Sequence, residues 1–190
     1  MPVEELSETS EPTDAAPRGF AARFFGAFRL DASVFEEVEH DESARPQAAA
    51  VVTIAGLARA VQVLPEQGIL GAVASLVAAW VFWFAVAAAV TAVGVRILRA
   101  TSDYDEVLRT VGFAGAPLTL LALGVLPLGP LAAALTLVAH ALAVTALVLA
   151  VRQALDVDTT RALAVCTGAI ALGLGLLLLL GVVFLGRALA

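Results

Sequence analysis

The residue of this chain best able to do chemistry inside a membrane is His140, which stands in a long apolar run, far along the chain from any charge. An ionisable group in such a run is by default a candidate functional site. An imidazole there works as a proton carrier or as a hydrogen-bonding group. A relay needs a second titratable group, and the apolar runs contain no Asp or Glu; Glu66 falls in a turn between two of them. His140 is therefore expected to be a neutral imidazole bonded to Thr136, Thr145 or a main-chain carbonyl.

The other reactive residue types form no recognisable constellation. Cys166 is the one cysteine, so an internal disulfide and a cysteine metal cluster are excluded. Neither His40 nor His140 stands in a ligand spacing to Cys166 or to an acidic pair. Ser75 lacks the flanking glycines of a nucleophile elbow. Gly173 and Gly175 lie in an apolar stretch with no preceding strand, which reads as close helix packing and not as a phosphate loop. No catalytic, cofactor or metal site is predicted, and the chain is not expected to be an enzyme.

The elements that hold these residues are set by composition. Of 190 residues, 61% are hydrophobic and only 15% charged, with mean hydropathy +0.95. A soluble domain carries about 25% charge. The fold class expected is all-α, an integral membrane bundle of about five transmembrane helices with a short cytoplasmic amphipathic region before it. All eleven Lys+Arg residues are arginine, and with the alanine excess this is the composition of a GC-rich bacterial genome.

Acid is concentrated ahead of the first apolar run: residues 1–45 hold 11 of the 17 acidic residues and four arginines. A nucleic-acid partner needs a basic patch and is excluded. A polybasic lipid anchor is likewise absent. Residues 1–18 read as a disordered acidic tail, too poor in apolar surface to offset chain entropy. Residues 19–45 read as an amphipathic helical segment. Phe20, Phe24 and Phe28 recur every fourth residue, with Arg23 and Arg29 off that line, in a helix lying on a membrane surface or on the protein's own helices. Ser33 and Glu36 have capping-box spacing. The helix they open carries Val34, Phe35 and Val38 on one face and Glu36, Glu37 and Glu39 on the other. Phe20, Phe24, Phe28, Glu36 and Glu37 are the residues expected to face a partner.

Residues 46–190 form the membrane domain, with spans expected at about 47–64, 69–98, 111–126, 131–151 and 162–185. Pro46 suits a first turn, and residues 65–68 are a turn signal. Residues 47–64 make the weakest span, and an in-plane helix there is the alternative. Trp80 and Trp83 sit mid-span and are expected to pack against neighbouring helices. Ser102 and Asp105 are expected to cap a short helix leading into the third span, where Pro117 removes a donor and predicts a kink. With a cytoplasmic N-terminus, nine arginines from Arg18 to Arg161 fall on the cytoplasmic side, and only Arg59 and Arg187 near the other. This positive-inside asymmetry places the chain in the plasma membrane with its C-terminus outside. Small residues four apart, such as Gly71 with Ser75 and Ala85 with Ala89, favour a tight bundle.

Several stretches together resemble the Yip family, five-span membrane proteins named for interaction with Ypt/Rab GTPases, and in particular its bacterial branch. The stretches are Arg29 to Val38 with Asp41, Gln47 and Ala48; Tyr104 to Pro117; residues 127–130; and residues 151–155 with 159–162. The second resembles the family's tyrosine-led connector and Gly-aromatic-x-x-x-Pro entry into the third span, which assigns Tyr104, Glu106, Gly112, Phe113 and Pro117. The Asp-Leu-Tyr-Gly-Pro motif that eukaryotic members carry before the first span has no counterpart here. The resemblance implies a non-enzymatic scaffold or accessory subunit, working on a partner or on membrane organisation. The alternative is a small-molecule or ion permease lined by Pro117, residues 127–130 and His140. The expected partners are the lipid bilayer, another membrane or cytoplasmic protein, and a second copy of the chain.

Overall fold

The computed structural model describes residues 18–100 and 102–189; the expected tail lies outside them apart from Arg18. Two short helices open the chain, α1 (Phe20–Phe28) and α2 (Ala32–His40). The longest helical stretch, α3 (Ala44–Val93), is broken at Gly68, whose φ of 66° and ψ of −167° belong to a region open essentially to glycine alone. The chain reverses there. Gly56 packs against Leu76 and Ala79, near-equidistant from Gly68 on the other side, so the two limbs form an antiparallel hairpin. The first limb runs from Ala44 to the break, ~36 Å at 1.5 Å per residue, enough to cross a ~30 Å hydrocarbon core.

A single π turn, Gly94–Leu98, ends the second limb. Helix α4 (Tyr104–Phe113) follows, then a 3₁₀ segment (Ala116–Val125), α5 (Pro130–Ala154) and α6 (Thr159–Leu189). Four of these stretches are long and apolar enough to cross a membrane; because the first is a hairpin, the crossing limbs number five. The fold is an all-helical membrane bundle with no strand among the described residues.

The third crossing departs from the expected kinked α-helix. Helix α4 stops at Phe113, and after Gly115 the chain continues as ten residues of 3₁₀ helix with Pro117 in its first turn. Proline lacks the donor an α-helix needs at that position, and it disfavours the α region for the residue before it. At ~2.0 Å rise the 3₁₀ segment covers ~20 Å and, with ~15 Å of α4, completes the crossing.

Two expected caps are also corrected. Asp31, not Ser33, caps α2: its carboxylate accepts from the Ser33 main-chain N–H at 3.0 Å and from the Ser33 hydroxyl at 2.7 Å. Asp103, not Ser102, caps α4 in a reciprocal capping box with Glu106, at 2.9 and 3.0 Å. In both places an aspartate beside the expected residue wins, because a carboxylate accepts more strongly from the positive end of the helix.

The core is one large cluster, with a small second one of Ala58, Leu121 and Ala139. Val34, Phe35 and Val38 of α2 are fully buried against Val107 and Leu108 of α4 and Val151, Ala154 and Leu155 around the end of α5. This puts α1, α2, the start of α4 and the α5–α6 turn at one end of the bundle, the charged end. The Gly68 break and the 126–129 turn lie at the other. There Gln62 donates to the Thr136 hydroxyl at 2.9 Å and Arg59 donates to Gln62 at 2.6 Å.

Candidate functional site

At the charged end, α1 is folded back onto the bundle. Its C-terminus closes in a Schellman motif: the Leu30 N–H reaches the Ala27 carbonyl and the Asp31 N–H reaches that of Gly26. Leu30, a non-glycine, takes the left-handed position with φ 64°. This reversal points α1 at α2 and drives Arg23, only 1% exposed, between them. The guanidinium donates to Glu37 at 2.8 and 3.0 Å, to Asp41, and to Gln47 at 3.2 Å. Glu37 and Asp41 are one helical turn apart and so present both carboxylates on one face. The hydrogen bonds from Ser43, and then Arg23 itself, hold Asp41 below the usual carboxylate range.

A second buried arginine fixes α2 to α4. Arg109 donates to the main-chain carbonyls of Val38 and Glu39, which lie at the C-terminal end of α2 where carbonyls lack helical partners. The Glu39 side chain is left without a donor among the described residues. Burial pushes its carboxyl up to about 7; His40 opposes the shift, and Asp156, Glu106 and Glu36 add to it. Carboxylates from α2, α4 and the α5–α6 turn thus converge around one half-buried acid.

The residues expected to face a partner divide. Glu36 is exposed, and Phe20 is exposed at the start of α1, with the unanticipated Phe25 more exposed still. Phe24 and Phe28 are half-buried against the core. Glu37 is turned to Arg18 and Arg23. Of the five family-motif residues, Tyr104 and Glu106 open α4 at the charged end, whereas Gly112, Phe113 and Pro117 are buried in the third crossing. Gly112 is where α3 and α4 touch: a Cβ there would stand 2.7 Å from that of Ala48 and 3.2 Å from Trp83 Nε1. The Trp83 indole N–H donates to the Leu108 carbonyl at 3.0 Å, tying the second limb of α3 to α4.

Within the crossings the hydroxyls are satisfied locally. The hydroxyls of Thr53, Ser75, Thr91, Thr136, Thr145 and Thr167 each donate to the carbonyl four residues back in their own helix. The His140 Nδ1–H donates to the Thr136 carbonyl at 2.7 Å. Its imidazole helps to line a cavity of about 280 Å³ whose other walls are apolar. Among the described residues no group of three His, Cys, Asp or Glu side chains is placed to hold a metal ion.

Arg23, Arg109 and Glu39 were not singled out by sequence reasoning. The signal for Arg23 was present in the four-residue spacing of Glu37 and Asp41. For Arg109 it was the lone charge in the run from Val107 to Phe113. Compared with known proteins, residues 32–180 match the family model described as the Yip1 domain. No curated protein and no solved structure matches the chain.

Proposed function

The chain belongs to the Yip1-domain family, and from that premise we propose that it is a non-enzymatic membrane scaffold whose charged end docks a partner protein. The observation that carries this reading is how the polar groups are divided. In the crossings, hydroxyls are bound to their own helices, which leaves little to solvate an ion and weighs against the permease alternative. At the charged end, α1 and α2 are locked by two buried arginines into a fixed platform. That platform presents Glu36, Glu106 and Asp156 around the half-buried Glu39 carboxyl, with His40 the basic group nearest to it in charge. Such a patch suits a basic segment of a partner, whose arginines or lysines would ionise Glu39 fully. The charged end is read as cytoplasmic in the plasma membrane, by the arginine asymmetry.

The test is purification from the native membrane in mild detergent, with mass spectrometry of what co-purifies in stoichiometric amount. Deleting α1 and α2 is a poor control, because Val34, Phe35 and Val38 belong to the core. The exposed substitutions Glu36→Arg and Asp156→Arg are better. A partner that is lost from both variants, with the bundle still monodisperse, is the expected result. Recovery of the chain alone or with lipid only would overturn the reading.

A further inference from the structure

The cavity beside His140 lies apart from the charged end of the bundle. Its floor is buried and formed by Trp83, Gly112 and Leu147, from α3, α4 and α5. Its exposed lining residues are His140 and Val144 of α5 and Leu174 of α6, so the mouth opens between those two helices on the flank of the bundle. His140 is the eleventh of the 25 residues of α5. That places it ~15 Å from the helix start, near the middle of the hydrocarbon. The mouth is therefore wetted by lipid tails.

The chemistry of the one polar group defines the occupant. Because Nδ1–H is held by the Thr136 carbonyl, Nε2 is the ring nitrogen left for a second partner. Among the described residues no donor reaches Nε2. At mid-bilayer an acceptor without a donor is costly, and water is scarce. Phospholipid headgroups lie a half-bilayer away. A donor arriving from the lipid is carried on a hydrocarbon-soluble, uncharged molecule, and a hydroxyl is the simplest group that supplies it.

We propose that this cavity binds a long-chain alcohol, of the fatty-alcohol or polyprenol class, with its hydrocarbon against Trp83 and Leu147 and its hydroxyl donating to His140 Nε2. The inference does not depend on the scaffold reading, and the experiment below uses no partner protein.

Trp83 is a built-in reporter. In proteoliposomes made with the Trp80→Phe chain, Trp83 fluorescence is followed while a brominated hexadecanol is added, and separately its brominated methyl ether. The alcohol should quench saturably, with about five-fold higher affinity than the ether, the worth of one neutral hydrogen bond, ~1 kcal/mol. In the His140→Leu chain the two compounds should quench alike. In the Ala143→Phe chain, which fills the cavity, saturable quenching should vanish. Non-saturating quenching in the unsubstituted cavity, equal affinity for alcohol and ether, or an alcohol preference that survives His140→Leu would each overturn the proposal. The alcohol–ether comparison needs no substitution at the site, so it stands even if a variant fails to fold.

Discussion

Replacing Arg23 with methionine should release α1 and α2 from the bundle without unfolding the crossings. The substitution keeps an apolar stem of similar length and removes the guanidinium bonds to Glu37, Asp41 and Gln47. Removing one partner of a fully buried ion pair costs about 3–5 kcal/mol, because the other charge is stranded. Here the stranded carboxylates are about a quarter exposed, with side-chain accessibilities of 24% and 25%, and they recover part of their hydration. A cost of ~2 kcal/mol is the reasoned figure, which raises the opening equilibrium of the α1–α2 cap about 30-fold. Amide hydrogen exchange in detergent micelles measures that opening directly. Protection across α1 and α2 should fall by about that factor while α5 is unchanged, and Arg29→Met, at an exposed position, should have no effect. Protection in Arg23→Met within about three-fold of the parent chain would refute the idea that this arginine is what holds the cap.

Glu39 makes stability pH-dependent in a definite direction. Its folded carboxyl, at about 7, lies above the ordinary 4.5, so the native state binds the extra proton between those values. Stability that is complete below about pH 4.5 is lost as pH rises through about 7, by ~1 kcal/mol after allowing for solvent screening of a half-exposed group. Glu39→Gln should remove that slope in melts at pH 5 and pH 8, gaining stability only at the higher pH. Gly112→Ala must push Ala48 or Trp83 aside and should cost ~1–3 kcal/mol, seen as a lower melting temperature. Gly68→Ala forces a side chain into a glycine-only conformation and should cost a similar ~1–3 kcal/mol, with hydrogen exchange rising first on both sides of the turn. If Gly68→Ala leaves that exchange unaltered, the reversal does not depend on the glycine.

The helical class was legible because apolar runs long enough to span a bilayer leave the chain few alternatives. The details that escaped are those where the discriminating signal is local or three-dimensional. The caps went to Asp31 and Asp103 because neighbouring Ser and Asp residues compete for the same orphan amides, and spacing alone does not rank them. Helices α1 and α5 end in Schellman turns with Leu30 and Asp156 in the left-handed position. A search for glycine at those ends passes over them. Pro117 announced a disturbance, but ten residues of 3₁₀ helix are longer than such segments usually run. Arg23 lay off the phenylalanine line of α1, and only the docking of α2 turns that position into an interior one. The convergence of Glu39 with Glu106 and Asp156 joins residues far apart in sequence and has no one-dimensional trace.

The Gly68 reversal has a consequence for biogenesis. No stretch of soluble loop separates the two limbs of α3, so a membrane would have to take them up close together. The pair forms one helical hairpin whose polar side chains near the tip are Arg59, Gln62, Glu66 and Gln67. The next pair, the third crossing and α5, is joined by residues 126–129, which carry no charge at all. Carrying the Gly68 end of the bundle across a membrane would therefore require the passage of very little polar mass, a load that two helical hairpins partitioning in turn would suit.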